Sequence, residues 1–196
     1  MKERPILFSA AMVQAILAGR KSQTRRVVKP QPPAQFLGEN AAAITNGYLW
    51  AFSDGRAAYP PDDKPGVPCP YGQPGDRLWV KETWRVHGGR EYEYQQHQPS
   101  VIYRADADYD PLRVGESVSA EWRKSIFMPR WASRITLEIT SVRVERLQEI
   151  TPEDAIAEGV IVKPGEKPCP ECNGRSPEIC GFRDLWNSIH GFFHSW

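Results

Sequence analysis

Residues 19–26 read Gly-Arg-Lys-Ser-Gln-Thr-Arg-Arg, and we call this stretch the basic octapeptide. It brings the amine of Lys21, the hydroxyl of Thr24 and the guanidinium of Arg26 close together along the chain. Such a set can bind an anion, bind a nucleobase or activate a nucleophile. Its charge is equally typical of an ordinary basic helix end, where cations complement the helix dipole and satisfy the last carbonyl groups.

The segment before the octapeptide predicts a helix over about residues 10–18. Ser9 is placed to cap its first turn, and Gly19 is placed as its left-handed stop. The apolar positions of this helix recur at helical spacing and predict one buried stripe, formed by Met12, Val13, Ile16 and Leu17. The apolar run at residues 5–8 predicts a first strand.

Length and composition favour one cytoplasmic domain. The chain has 196 residues, of which 40% are hydrophobic, and its formal net charge is +1. That charge gives no global signature of a nucleic-acid binder, so such a role requires a local patch. The sequence has no run of 18 apolar residues and no signal-peptide pattern, which predicts no membrane partner.

The remaining pattern predicts an α+β fold with long loops. A turn signal at residues 73–76 precedes a strand over about residues 77–84, and the clearest strand covers residues 134–147, with a bulge near residues 140–141. The 18 prolines and 15 glycines indicate extensive loop. We expect one domain over residues 1–196 with insertions at about residues 30–72, 86–130 and 163–181.

A second helix is predicted from Thr151 onward, because a capping threonine, a proline and two acids follow in order. Gly159 ends this helix and leaves Glu158 on its last turn. An acid there opposes the helix dipole, so Glu158 supports a functional hypothesis. A last helix is predicted over about residues 182–189.

Residues 122–131 contain two tryptophans and three cations close together. Basic residues interleaved with aromatic rings can stack on and neutralise a nucleotide, or they can be ordinary packing with cation–π contacts. The cations in this stretch are Arg123, Lys124 and Arg130.

The cysteines suggest a structural zinc site. Cys169 and Cys172 have the two-residue spacing of half a zinc knuckle, and Cys180 with the distant Cys69 would complete four ligands. The alternative is a set of reduced thiols in a loop.

Several blocks in this order resemble the ASCH domain family. They are the octapeptide positions Gly19, Lys21, Thr24 and Arg26, the Gly75-Asp76-Arg77-Leu78-Trp79-Val80 block, the Met128-Pro129-Arg130-Trp131 block, the helix that ends at Glu158, and Phe182-Arg183-Asp184-Leu185-Trp186. The sequences of these blocks most resemble those of the phage- and prophage-encoded branch of the family. The resemblance implies a PUA-like mixed β-barrel with about three peripheral helices.

The resemblance also implies a function. ASCH-like proteins include amidohydrolases that release acetate from N4-acetylcytidine, and by motif position their working lysine, threonine and glutamate fall on Lys21, Thr24 and Glu158. We assign Thr24 as nucleophile, Lys21 as base, Glu158 as acid or base, and Arg26 as anion stabiliser; no cofactor is required. The alternatives implied are a non-catalytic RNA-binding module or a ribonuclease of phage origin. The candidate nucleoside- or RNA-binding residues are Arg20, Arg25, Trp79, Trp84, Arg130 and Trp131.

The chain departs from the family pattern at its end. ASCH-like chains usually finish with a strand that closes the barrel, whereas only five residues follow Gly191 here. Either the barrel has an exposed edge, or another chain supplies the strand, or the chain is a truncated relative. An open sheet edge can pair with another chain, so a homodimer formed by strand addition is one hypothesis.

Overall fold

The computed structural model describes the following residues: 1–29, 42–45, 48–49, 52–53, 56–57, 67–86, 101–106, 121–163 and 175–191. The chain divides into two compact units, and each is assembled from two separate stretches. The first unit comprises Met1–Gln14 and Pro70–Ser141, and the second comprises Ala15–Cys69 and Val142–Trp196.

The described residues contain both helices and strands, which confirms the predicted α+β class. The helices are α1 (Ala10–Leu17), α2 (Pro152–Ala157) and α3 (Pro177–His190). The strands are β1 (Glu3–Leu7), β2 (Ala42–Thr45), β3 (Tyr48–Leu49), β4 (Phe52–Ser53), β5 (Arg56–Ala57), β6 (Val67–Pro68), β7 (Arg77–Lys81), β8 (Trp84–Val86), β9 (Val101–Tyr103), β10 (Thr136–Glu138) and β11 (Arg143–Val144). Within the described ranges these strands form four separate small sheets and do not close into a barrel.

The first unit is built on a three-stranded sheet in the order β1-β7-β10. β7 lies in the centre, parallel to β1 and antiparallel to β10. Leu78 and Val80 of β7 and Ile6 of β1 are buried, whereas the alternate residues of β7 are exposed or half-buried, as the period of a strand requires. β8 and β9 pair beside this sheet, and Trp84, Val86, Met128 and Ala132 form their core.

Asp76 joins the two stretches of chain that form the first unit. Its carboxylate accepts hydrogen bonds from the backbone N–H of Lys2 at 2.7 Å and from Arg4 Nη1 at 2.9 Å. Gly72 has a φ of +114°, and a Cβ there would lie 2.8 Å from Asp76 Oδ2, so only glycine allows this close approach. The hydrogen bond from Lys2, together with that from Arg4, holds the pKa of Asp76 below its ordinary value despite burial.

Replacing Asp76 by asparagine is expected to destabilise the protein at neutral pH, because the amide presents one oxygen and an N–H donor to groups that all donate. A carboxyl with a lowered pKa stabilises the folded state above its unfolded pKa and loses that effect as the pH falls through the folded value. The difference in urea midpoint between the wild type and Asp76→Asn should therefore be largest at pH 7 and shrink at a pH below 3.8. A difference that is constant between pH 7 and pH 3 would contradict this role.

The second unit contains α2, α3 and the short strands that lie between residues 42 and 68. β11, β2, β3 and β6 pair in that order, and β4 pairs with β5. The core around the two helices comprises Ile150, Ala155, Phe182 and Trp186. A single short strand was predicted near residues 48–52, so the five strands β2–β6 add to that prediction. The predicted insertions at residues 30–72, 86–130 and 163–181 lie in large part outside the described residues.

Three predicted elements differ in the structure. The predicted strand at residues 77–84 is two strands, because the chain leaves the first sheet after Lys81 and Trp84 pairs with Tyr103 instead. The predicted strand at residues 134–147 is also two, β10 and β11, because the chain passes from the first unit to the second after Ser141. The last helix begins at Pro177, five residues earlier than predicted.

Gly181 explains the third difference. A glycine inside a segment predicts a helix boundary, but Gly181 lies within α3. A Cβ at this position would be 2.6 Å from Val160 Cγ1, so the glycine allows the helix to approach Val160 closely. Ser176 precedes the helix and Pro177 occupies its first turn, where the missing N–H of proline costs no hydrogen bond.

Candidate functional site

The basic octapeptide lies against the end of α2. The backbone N–H groups of Ser22 and Gln23 both donate to the carbonyl oxygen of Ala157, at 2.9 and 3.0 Å. The last carbonyl groups of a helix have no partner within the helix, so the octapeptide supplies what α2 lacks. A cationic segment at a helix C-terminus was one of the two interpretations of the octapeptide. Its residues 19–21 donate to the carbonyl oxygens of Ala15 and Ile16 in α1, so the octapeptide lies at the C-terminal ends of both α1 and α2.

Lys21 and Glu158 form a buried ion pair in the second unit. Lys21 Nζ donates to Glu158 Oε2 and to the carbonyl oxygen of Glu158, both at 2.7 Å. The exposed fractions of the two side chains are 2% and 4%. Gly159 has a φ of +95°, and a Cβ there would meet Lys21 Cβ at 3.3 Å, so glycine lets the lysine stem pass this turn. The ion pair with the buried Lys21 offsets the unfavourable position of the Glu158 carboxylate at the C-terminal end of α2.

The pKa of Lys21 is lowered from its ordinary value. Burial lowers it most, because the low-dielectric interior disfavours the ammonium form. The charge and the hydrogen bond of Glu158 raise it by less, and the positive charge of Arg26 lowers it further. Burial is thus the largest cause of the lowered pKa of Lys21, and no spacing in the sequence indicates it.

Thr24 and Arg26 form the second pair of the site. Arg26 Nη1 donates to Thr24 Oγ1 at 2.9 Å and to the carbonyl oxygen of Arg25 at 3.1 Å. A guanidinium that donates to a hydroxyl oxygen stabilises the alkoxide that forms when the hydroxyl loses its proton. Both side chains are half-buried, unlike the Lys21–Glu158 pair. Arg26 thus contacts the oxygen that was predicted to be the nucleophile, whereas its predicted role was at the developing oxyanion.

Arg25 lies among carboxylates. Its Nη2 donates to Glu145 Oε2 at 2.8 Å and to Asp154 Oδ2 at 2.9 Å, and its Nη1 is 3.9 Å from Glu158 Oε1. Arg143 reaches the same two acids from another direction, at 3.1 Å from Glu145 Oε1 and 3.4 Å from Asp154 Oδ1. These five charged residues, two arginines and three acids that include Glu158, form one network, in which Arg25 is the arginine that approaches Glu158.

The network also fixes the charge of Asp154. Burial raises the pKa of this carboxyl, but the hydrogen bond and charge of Arg25, with the charge of Arg143, lower it by more. Asp154 N–H donates to Thr151 Oγ1, which is the predicted cap of α2. The sequence indicated Asp154 only as a first-turn acid. It gave no sign of Glu145 and Arg143 as parts of the network, because Arg25, which connects the network to Glu158, lies 120 positions from Glu145.

The two oxygens of Glu158 have different surroundings. Oε2 accepts from Lys21, whereas Oε1 is buried and accepts no hydrogen bond from the described residues. A buried carboxylate oxygen without a donor is costly, and such atoms in folded proteins call for an explanation. An oxygen in this environment is free to accept a proton, or a hydrogen bond from a substrate, during a reaction.

The other predicted binding residues have different environments. Arg20, the second residue of the octapeptide, is exposed and belongs to the second unit. The remaining residues belong to the first unit. Trp84 is a core residue with an exposed fraction of 1%, so its ring has no free face, whereas Trp131 is 53% exposed. Trp79 is half-buried, and the cations of Lys81 and Arg130 lie 5.4 and 5.9 Å from its ring centroid.

The cysteines are described in part. Cys69 and Cys180 belong to the second unit and are buried thiols, and Cys169 and Cys172 lie outside the described residues. Among the described residues no group of three His, Cys, Asp or Glu side chains could hold a metal ion. The structural zinc site stays a prediction.

Comparisons with protein-family models, with curated proteins and with solved structures give no match to this chain. The described helices include none that is long and apolar enough to cross a membrane. The second unit contains the groups that carry chemistry. They are the buried Lys21 with its lowered pKa, its partner Glu158, and the half-buried Thr24, whose hydroxyl oxygen accepts a hydrogen bond from Arg26.

Proposed function

We propose that this protein is an ASCH-like, PUA-related protein that recognises a modified cytidine and hydrolyses its N4-acetyl amide. The observation that carries the proposal is the buried Lys21–Glu158 pair, with hydrogen bonds of 2.7 Å and a lowered lysine pKa. A surface ion pair contributes little, and a buried one is costly to assemble, so the pair supports a chemical role. The resemblance of the octapeptide to the ASCH motif supplies the substrate class.

The proposed reaction has two steps. Thr24 Oγ1 attacks the acetyl carbonyl carbon while its proton passes to the neutral amine of Lys21, and Arg26 stabilises the negative charge on oxygen. The C–N bond then breaks, the N4 nitrogen takes a proton from Lys21, and cytidine leaves. In the second step water attacks the carbonyl carbon of the acetyl-threonine and gives a proton to Lys21. The bond to Thr24 Oγ1 then breaks, Oγ1 takes that proton back from Lys21, and acetic acid leaves and ionises to acetate.

Glu158 has two roles in this scheme. Its Oε2 holds the amine of Lys21, and its carboxylate can take up the proton that the lysine must lose before it acts as a base. In this scheme the amine of Lys21 exchanges protons with Thr24 Oγ1, with the N4 nitrogen and with the attacking water, so all three must reach it from the side of the half-buried Thr24.

The test is incubation of the purified protein with N4-acetylcytidine, followed by chromatography of the nucleoside. We expect cytidine and acetate in equal amounts. A folded protein that releases neither from this nucleoside nor from an RNA that contains it would overturn the hydrolase proposal.

A specific observation favours a second function, RNA binding by the first unit. Trp79 lies on the central strand of the sheet with two cations at its ring, and three large apolar side chains are exposed in the neighbouring 3-10 turns. They are Ile126, Phe127 and Trp131, with exposed fractions of 57, 71 and 53%. Aromatic rings beside cations are the usual platform for single-stranded nucleic acid.

Replacing Trp79 by alanine is expected to weaken binding of a fluorescent single-stranded RNA by roughly 5- to 100-fold, because stacking of a base on an aromatic ring contributes about 1–3 kcal/mol. Binding should also fall with added salt. Ile161→Ala, at a 70% exposed position of the second unit, is the control and should bind as the wild type does. Equal affinity of Trp79→Ala and wild type would exclude this surface.

The wider predictions from the resemblance belong to the same proposal. We propose a PUA-like barrel as the fold, and a homodimer formed by strand addition. Elemental mass spectrometry of untagged protein tests the zinc site, and light scattering at high concentration tests the dimer; a monomer would exclude strand addition. Ribonuclease activity is tested on unmodified RNA in the same assay.

A further inference from the structure

Arg25 has little capacity left to bind a substrate. Its side chain is 13% exposed, and its Nη2 donates to both Glu145 and Asp154. In the amide orientation that satisfies both of its polar atoms, Gln23 accepts from Arg25 Nη1 and donates to Asp154 Oδ1 at 3.0 Å. The Arg25 cation also lies 5.9 Å from the ring centroid of Phe182, a core residue of the second unit. These contacts fix the guanidinium in place.

The fixed guanidinium presents Nη1 to Glu158 Oε1 at 3.9 Å. This distance is too long for a hydrogen bond and short enough for a strong charge–charge attraction in a buried site. Lys21 binds the other oxygen of the same carboxylate at 2.7 Å. Glu158 therefore lies between two cations, one at each oxygen.

The second cation has a geometric consequence. The last torsion of a glutamate side chain is broad and nearly two-fold, so one hydrogen bond at Oε2 leaves the carboxylate plane free to rotate. A charge fixed opposite Oε1 removes that freedom. We infer that Arg25 is a positioning residue of the candidate site, which orients the carboxylate of Glu158 and thereby the amine of Lys21. This inference rests on the proposed function.

Arg143 provides a matched control. It contacts the same two acids as Arg25, at 3.1 and 3.4 Å, but no contact between Arg143 and Glu158 is found among the described residues. Methionine replaces either arginine with a flexible side chain of similar length and no charge. The side chain of Arg143 is 49% exposed and that of Arg25 only 13%, so a role in stability alone would make Arg25→Met the less stable variant without lowering kcat of the folded protein. Positioning of Glu158 predicts instead that folded Arg25→Met loses kcat and folded Arg143→Met does not.

The kinetic test uses N4-acetylcytidine. We expect Arg25→Met to lower kcat by roughly 10- to 100-fold, the range found when partners that orient functional ligands are removed, with KM changed less than threefold because Arg25 does not touch the substrate. Arg143→Met should keep kcat within about twofold. Arg25→Lys retains the charge but not the fork of donors, and we expect an intermediate loss.

A spectroscopic test does not depend on activity. In 15N-lysine-labelled protein, the Nζ–H signal of Lys21 reports the bond to Glu158, because a buried, hydrogen-bonded amine exchanges its protons slowly. We expect this signal in the wild type and in Arg143→Met, and its broadening or loss in Arg25→Met that is folded by circular dichroism. A signal unchanged in Arg25→Met, or lost equally in both variants, would overturn the inference.

The two tests separate the two proposals. No hydrolysis by wild type, with the Lys21 signal lost only in Arg25→Met, would overturn the hydrolase and support Arg25 as the residue that orients the pair. Hydrolysis by wild type with equal kcat in Arg25→Met would support the hydrolase and overturn the role of Arg25.

Discussion

Replacing Lys21 by methionine is expected to lower hydrolysis of N4-acetylcytidine by at least about 10³-fold. General base catalysis contributes about 10²- to 10⁴-fold, and Thr24 is a weak nucleophile when no base takes its proton. Methionine keeps the length and apolar stem that pack against Gly159. The loss should therefore be chemical, and thermal unfolding should show that the variant is folded.

The pH dependence of the wild type gives the same residue a second test. Only the neutral amine of Lys21 is a base, so the rate should rise with pH to a plateau, and its midpoint should lie below 10.5 because burial lowers the pKa of Lys21. Lys29→Met, at an exposed lysine near the octapeptide, is the control and should keep the wild-type profile. Full activity in Lys21→Met would show that the pair only ties the octapeptide to α2.

Replacing Glu158 by leucine is expected to lower the free energy of unfolding by about 3–5 kcal/mol, because removal of one partner leaves the other charge buried without compensation. The second unit would have to bury the ammonium of Lys21 or release its proton. Urea denaturation at pH 7 measures the loss. Glu153→Leu, an exposed acid in the first turn of α2, should cost less than about 1 kcal/mol.

The double variant Lys21→Met, Glu158→Leu decides how the pair acts on stability. Apolar residues of similar volume replace buried ion pairs with little cost, so the double variant should recover most of the stability that Glu158→Leu loses. Stability without hydrolysis in the double variant would mean that the pair is retained for chemistry. A double variant as unstable as the sum of the single variants would contradict a direct coupling between Lys21 and Glu158.

The local features of the fold could be read from the sequence. Ser9 and Gly19 bound α1, and Met12 N–H lies 3.4 Å from Ser9 Oγ as the cap predicts. Thr151 and Pro152 begin α2 in the predicted way, with the side chain of Thr151 accepting from Asp154 N–H. These signals are reliable because each acts within one turn of chain.

The rest depended on contacts between distant residues. Nothing near Ser141 in the sequence indicates that the chain passes from the first unit to the second at this point. The apolar alternation therefore predicted a single strand over residues 134–147. The last helix was predicted to begin only at about residue 182, because the close approach to Val160 that Gly181 allows within α3 is a tertiary contact. Sequence reasoning placed Lys21 and Glu158 in one site by family resemblance, but their burial and the carboxylates around Arg25 needed the folded chain.

The division of each unit into two stretches determines when the candidate site can form. Lys21 and Glu158 are 137 positions apart, and the whole second stretch of the first unit lies between them. During synthesis the first unit has all of its residues once Ser141 has emerged, while the octapeptide still lacks its partner. Pairings of such long sequence separation close large loops and fold slowly. The lysine therefore stays hydrated until Glu158, 137 positions later, has been synthesised, and its burial follows the completion of the first unit.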